Sequence, residues 1–446
     1  MGEKKKFKVA IVGAGIGGLS LALSLLKLST DIDVDLYESA AQLTEIGAGL
    51  SLWPRIEGIL QSLGIDDDVK AFTMHNQFVS FNFRRSDQEN TIAFGEENER
   101  GKFFRLMIQR SVLRKHISSS FPIHFSKRLE SYSESSTGQI TLSFLDGSTE
   151  TCDVLVACDG IKSVVRRTMF TTLSEQAEHR GDPQAAAKFA SYVEPVWSGS
   201  IVYRSLVKTE ALQKAHPEHI AVKSPILAFG KDKHLVIYPV SKGSLLNVVA
   251  FSTNPENEGT FVPQPWVKMS SKEQLLAEYQ GWDPETQALL NCADNVSTWI
   301  LHTVPVLSTY VSGRVALLGD AAHAMTPHQG SGAGQAFEDA FILANILSQP
   351  TVTLETLPQA LQVYDAIRRP FSQNVQAMSR ITGTVYDLND KVVEELVGHD
   401  GISKPLSVNE LEILGQKVED LMSWLRSTSA LDERAAALEM LKTLSQ

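Results

Sequence analysis

Three cysteines in 446 residues, Cys152, Cys158 and Cys292, leave an odd count with no CxxC spacing. That argues against a disulfide framework and for a reducing compartment. No histidine or cysteine spacing suggests a metal site either. Basic charge is scarce: 41 Lys and Arg stand against 52 Asp and Glu, a formal charge of -11. Without a basic excess to neutralise phosphates, non-specific nucleic-acid binding is excluded, although a local basic pocket can coexist with an acidic exterior. Val9 to Leu26 is apolar enough to be mistaken for a membrane span, but glycines, Ser20 and Ser24 interrupt it and it opens like a strand. Gly2 is followed by Lys6 where a myristoylation signal needs Ser or Thr, and the C-terminal TLSQ is no peroxisomal address. The expectation is a soluble, cytoplasmic chain with no membrane, nucleic-acid or metal partner.

What is present is ordinary in bulk and specific in its motifs. At 43% hydrophobic and 21% charged, the chain is long enough for two or three interleaved lobes. Phe7 to Val12 becomes wholly apolar, as a buried parallel strand does, and GAGIGG follows. Gly13, Gly15 and Gly18 form GxGxxG between that strand and a helix expected from Leu19 to Leu28. Such spacing permits a tight turn, close backbone approach to a pyrophosphate, and a helix N-terminus facing it. A second strand, DVDLYE, ends at Glu38, 25 residues after Gly13, where a carboxylate can accept ribose hydroxyls. The fingerprint indicates an adenine dinucleotide without separating FAD from NAD.

The stretch LGDAAHAMTPHQGSGAGQAFEDA, Leu318 to Ala340, separates them. GRVALLGD reads as turn, buried strand and terminal carboxylate, and a helix is expected from Gly330 to Leu347. Here the chain resembles the single-component, group A flavoprotein aromatic hydroxylases, in the salicylate hydroxylase-like branch. The resemblance covers Lys8 to Leu388 in one continuous motif order. It implies an α/β fold: a glutathione-reductase-like Rossmann FAD-binding domain, an inserted mixed or antiparallel sheet domain for substrate, and C-terminal helices. The expected boundaries are 1–75, 105–180 and 295–390 for FAD, 76–104 and 181–294 for substrate, and 391–446 for the helical end.

The same resemblance implies cofactor contacts at Gly319 and Asp320, the latter on the ribityl chain, and at Gly330, Gly332 and Ala333 against the ring. A helix terminus there suits the negative charge of reduced flavin. VLVACDGIKSVVR resembles the family's DG motif, which assigns Asp159 and Gly160 to the cofactor, with Ser163 and Arg166 in the same loop. Arg110 in MIQRSVL resembles the arginine placed against the FAD phosphate and ribityl region. EIGAGLSLWP adds Gly47 and Gly49, but the match departs after Pro54, where Arg55-Ile56 replaces the usual Asn-Ala.

Between the DG and GD motifs, GSIVYRSLV, SPILAFG, HLVIYPV and LLNVVAF read as antiparallel strands. Arg204 and Tyr238 align with residues that bind or ionise a phenol in relatives, and a cross-strand pair on the solvent side is the bland alternative. His328 and Pro327 fall where the ring face is expected, whereas His323 reads as a packed histidine. The implied activity is an FAD-dependent monooxygenase that uses NADH or NADPH and O2 on a small phenolic substrate, through a flavin C4a-hydroperoxide. A hydroxybenzoate-type acid would lose CO2 when the attacked carbon bears the carboxylate. A non-decarboxylating or dearomatising hydroxylase of a larger phenol is the alternative in the same class. A dehydrogenase using only the first fingerprint, or a noncatalytic nucleotide-binding protein, would be rivals of other classes. Pro370 is expected as a kink or boundary, and residues 391–446 as helices that cap the fold or meet a partner subunit in a monomer or homodimer.

Overall fold

The computed structural model describes residues 5–43, 50–72, 81–96, 106–108, 110–117, 121–399 and 405–444. Its centre is a six-stranded sheet in the spatial order Val311–Ser312, Val315–Leu317, Val154–Ala157, Phe7–Val12, Ile32–Tyr37, Ile123–His124. All neighbours run parallel except the first pair. Val154–Ala157 and Val315–Leu317 are buried throughout, which is why they lack polar alternation. The helices Ile16–Leu28 and Gly332–Leu347 cross over this sheet in contact with each other. Both start a few residues away from the expected positions, as helix ends often do. Gly17 makes the crossing close: a Cβ there would stand 2.7 Å from Leu318 Cδ2 and 3.4 Å from Ala336 Cβ.

A second sheet has eight strands, ordered Val267–Met269, Asp294–Thr303, Val196–Lys208, Leu245–Thr253, Lys233–Val240, Ile226–Gly230, Asn82–Arg85, Ile92–Glu96. The four segments expected to be strands are strands here, and their pairings are antiparallel. Asn82–Arg85 arrives from the first third of the chain and runs parallel to Ile226–Gly230, making the sheet mixed. Asp294–Thr303 pairs along Val196–Lys208, so this sheet continues past the expected boundary at residue 294.

A 30-residue helix, Leu357–Tyr386, runs without interruption through Pro370. The expected kink or boundary does not end the helix, because Arg368 and Ser372 on either side are fully buried and hold it in place. The C-terminal helices Val408–Leu421, Trp424–Ser427 and Ala430–Leu444 cap the same chain. Ala430–Leu444 rests on both Gly332–Leu347 and Leu357–Tyr386.

Charge holds these three helices together. Arg368 Nε bonds Asp339 Oδ1 at 2.8 Å, and its NH1 lies 3.1 Å from Glu338 Oε2. Arg55 Nε bonds Glu338 Oε1 at 2.7 Å, and both arginines also pair with Glu433. Arg55 further stacks its guanidinium over Phe371 at 4.2 Å. The residue that departs from the family pattern is thus a tie to the C-terminal helix. Removing one partner of a buried pair leaves the other charge uncompensated, at a cost of roughly 3–5 kcal/mol. Arg368→Met is therefore expected to lower unfolding free energy by about that amount, read by chemical denaturation. A loss below about 1 kcal/mol would reduce the network to a surface-like pairing.

Candidate functional site

A cleft of about 1090 Å³ runs between the two sheets. Gly15, Gly160, Gly319, Asp320, Gly330, Gly332 and Ala333 line one side, and Arg204, Tyr238 and Pro327 are also on its walls. These are ten of the expected site residues, drawn from segments hundreds of positions apart. Two glycines of the first turn have a steric reason. Gly13 has φ +102°, and a Cβ there would lie 2.2 Å from the carbonyl oxygen of Cys158. A Cβ on Gly18 would lie 1.9 Å from the carbonyl oxygen of Gly13. At Gly15 and Gly332, by contrast, a Cβ would meet nothing within 4 Å, because those positions face the cleft.

Both crossing helices begin without a side-chain cap, at Gly15 and at Ser331. Their first-turn N–H groups, lying at the cleft, suit a pyrophosphate and an electron-rich ring edge respectively. Asp320 is exposed to the cleft, while the surrounding protein raises its carboxyl above the ordinary value. Two uncapped helix ends, open glycine floors and a carboxylate facing the cleft fit an FAD molecule.

Other expected residues work one step behind that surface. Glu38 stands at its strand end with Oε2 accepting from Ala14 N–H at 2.8 Å and Oε1 from Ala40 N–H at 2.7 Å. Asp159 stands between Cys158 and Gly160, which line the cleft, and its Oδ2 accepts from the N–H groups of Val164 and Val165, which start the next helix. Burial raises its carboxyl. Arg166 donates to the carbonyls of Ala321 and Ile161, tying the DG loop to the GD loop. His323 is packed as expected, 2.6 Å from Asp339 Oδ2. Gly47, Gly49 and the side chain of Arg110 lie outside the described residues.

An inner pocket of about 180 Å³ shares Tyr238, Phe251, Pro327 and Gly330 with the cleft. Its walls are mainly apolar and aromatic, with Phe83 and Leu227 from the eight-stranded sheet and Met422 from the C-terminal segment. The Pro327 carbonyl closes a turn by accepting from Gly330 N–H at 2.9 Å. His328 is buried, its Nδ1 3.2 Å from the Ser379 carbonyl and its Nε2 without a hydrogen-bond partner. A carbonyl partner makes Nδ1 the donor, so Nε2 carries a lone pair. Burial first, then the repulsion that a proton on neighbouring His234 would exert, holds its pKa well below the ordinary histidine value. Gly383 supplies the room: a Cβ there would stand 2.3 Å from the His328 ring.

Tyr238 and His328 thus meet at the inner pocket. Arg204 does not join them; it is exposed in the outer cleft, with its guanidinium 5.2 Å from the centroid of Trp299. Sequence reasoning missed the C-terminal wall altogether. Gln329 explains how that wall is held: its Nε2 donates to Thr382 Oγ1 and the Leu421 carbonyl, and its Oε1 accepts from Trp424 Nε1. Nothing in an amphipathic helix without a motif announces such a contact.

The fold and the cleft together define an FAD-dependent aromatic monooxygenase. The FAD binding domain family matches residues 6–379. A salicylate hydroxylase of Pseudomonas putida is 36% identical over 416 residues, covering 89% of this chain and 90% of its own. A 6-methylsalicylate 1-monooxygenase of Aspergillus terreus is 30% identical, covering 87% and 85%. The solved structure of a salicylate hydroxylase substrate complex superposes with a TM-score of 0.78 at 31% identity, over 97% of this chain and 98% of that one. The chain belongs to the FAD binding domain family, as a monooxygenase of the salicylate hydroxylase type. The dehydrogenase and noncatalytic readings fall with that membership. Among the described residues no helix is long and apolar enough to cross a membrane.

Two substitutions test the geometry. Asp320→Ala is expected to weaken FAD binding at least ten-fold while the apo protein melts within a few degrees of wild type; equal flavin retention would remove Asp320 from the cofactor contacts. Gly383→Ala should keep its flavin yet lose most phenol-dependent turnover, because the new methyl displaces His328; full turnover would show that the ring position is not critical.

Proposed function

We propose that the protein hydroxylates a small phenolic acid of the hydroxybenzoate type, using NADH or NADPH and O2, with loss of CO2 when the attacked carbon bears the carboxylate. The observation that carries this reading is the inner pocket. It is mainly apolar and aromatic, sized for a single substituted ring, and it opens beside the residues suited to the flavin ring. FAD, once reduced by the nicotinamide cosubstrate, supplies the activated oxygen.

The chain's share is positioning and electrostatics. Electrophilic oxygen transfer needs an electron-rich ring, and a phenolate is the most electron-rich form. His328 Nε2 accepts a hydrogen bond from the substrate hydroxyl, and Tyr238 stands at the same mouth. The apolar walls limit the access of bulk water to the reacting centre. Gly15, Gly160 and Asp320 contact the cofactor, with Gly330, Gly332 and Ala333 against its ring, while Gly13, Gly18, Glu38 and Asp159 shape the loops that do so. Arg426 is the one arginine or lysine lining the inner pocket among the described residues. It supports an acidic substrate, and the names of the two relatives, both phenolic acids, support the same class.

The test is oxidation of NADH and NADPH by the flavin-loaded protein with salicylate, 4-hydroxybenzoate and a neutral phenol, following CO2 and peroxide. Salicylate is expected to stimulate oxidation and release CO2 with little peroxide. Stimulation without CO2 would move the reaction to non-decarboxylating hydroxylation. A charge-assisted hydrogen bond contributes about 1.5–3 kcal/mol, so Arg426→Ala should raise KM for the acid by roughly ten- to hundred-fold and leave a neutral phenol unaffected. An equal effect on both would remove Arg426 from substrate recognition.

A further inference from the structure

His328 carries a partnerless imidazole nitrogen in the wall of the inner pocket, and directly behind it lies another, Nε2 of His234, whose ring does not line the pocket. His234 is fully buried, in the strand Lys233–Val240, with its ring stacked on Phe251 at 4.1 Å and 12°. Its Nδ1 lies 2.6 Å from Oδ1 of Asp387, itself 2% exposed at the end of the long helix. The ring centroids of His234 and His328 are 5.1 Å apart, and Phe251 packs against both. An unmet buried polar atom costs about 1–3 kcal/mol. Two of them on adjacent rings, one in the pocket wall and one behind it, point to a donor shared between them.

We propose that His234 and Asp387 form the acid–base pair that takes the substrate's phenolic proton, through one water held between the two imidazoles, while His328 stays neutral and orients that water and the hydroxyl. The inference rests on the phenol reading above. The substrate O–H bond breaks and its proton joins the water oxygen, as a water proton forms an N–H bond at His234 Nε2. The products are a phenolate and an imidazolium paired with a carboxylate, with no electron gained or lost.

Asp387 explains why the proton ends on His234. It offsets the imidazolium charge, whereas the partner recorded for His328 is a carbonyl. The other titratable groups around His234 do not compete for this role. The Tyr386 ring lies 5.3 Å away, and the Tyr279 hydroxyl bonds the His234 and Phe251 carbonyls. Arg380 pairs with Glu258 through two 2.7 Å bonds, and Asp232 meets Asp387 through its backbone N–H.

The test uses the flavin-loaded protein in single turnover: reduced, loaded with salicylate and mixed with O2. His234→Gln and Asp387→Asn are expected to keep FAD, salicylate affinity and the rate of flavin reduction, while slowing hydroxylation at least ten-fold. That loss should shrink for ring-chlorinated salicylates, whose hydroxyl is more acidic, and as pH rises. Hydroxylation at the wild-type rate in both variants, with an unchanged pH profile, would overturn the proposal. Should the variants lose their flavin, the wild-type enzyme decides through its proton inventory in mixed H2O and D2O. A curved inventory with two protons in flight supports the water-bridged transfer, and a linear one-proton inventory contradicts it. A wild-type protein that hydroxylates no phenolic acid contradicts the phenol reading itself, which keeps the two failures apart.

Discussion

Glu338 and Asp339 place two adjacent carboxylates at full burial on the helix whose N-terminus opens into the cleft, and the surrounding elements supply their cations. Burial opposes ionisation of Asp339, yet His323 and Arg368 hold its pKa at about 2. The same carboxylate accepts from Gly319 N–H at 3.0 Å, which fixes the backbone immediately before Asp320. Glu338 is pushed up by burial against the pull of Arg368 and Arg55. One cluster therefore sets the position of the flavin-facing helix, the GD loop and the C-terminal helix together. Ion pairs at this depth are weak evidence for net stability, but they define one arrangement of those elements.

From that arrangement the cleft acquires two contrasting environments. The nucleotide side is backbone: glycines that allow close approach and two helix ends whose amides have no side-chain cap. The inner pocket is side chain: aromatic walls, a neutral histidine and a single described arginine. The first suits phosphates and a ring whose charge increases on reduction. The second suits a ring that must lose a proton in a largely apolar site, where an isolated imidazolium is disfavoured and one paired with a carboxylate is not.

Legibility in the sequence followed the same division. The nucleotide side could be read because its demands are local: Gly13, Gly15, Gly18, Gly319 and Asp320 are needed at fixed spacings on a strand-turn-helix frame. Four strands of the second sheet were equally clear from alternation. The strand Asn82–Arg85 and the pocket wall at Met422 and Arg426 were not, since each depends on a contact formed only after distant segments meet. Asp159 shows what a motif leaves out: one of its carboxylate oxygens bonds the first amides of the next helix, a contact that the loop sequence alone does not announce. Arg204 and Tyr238 were expected as a pair, yet they occupy different parts of the cleft, because a strand register sets neighbours that sequence spacing does not reveal.

In the proposed chemistry the pocket beside the flavin site directs an oxygen atom from O2 onto a phenolic ring. The most direct measurement is turnover of the flavin-loaded protein with salicylate and a nicotinamide cofactor under isotopically labelled O2, with mass analysis of the product. A catechol-type product carrying one labelled oxygen per nicotinamide oxidised is expected. Nicotinamide consumption that yields labelled peroxide and leaves every phenolic acid tried unlabelled would contradict it.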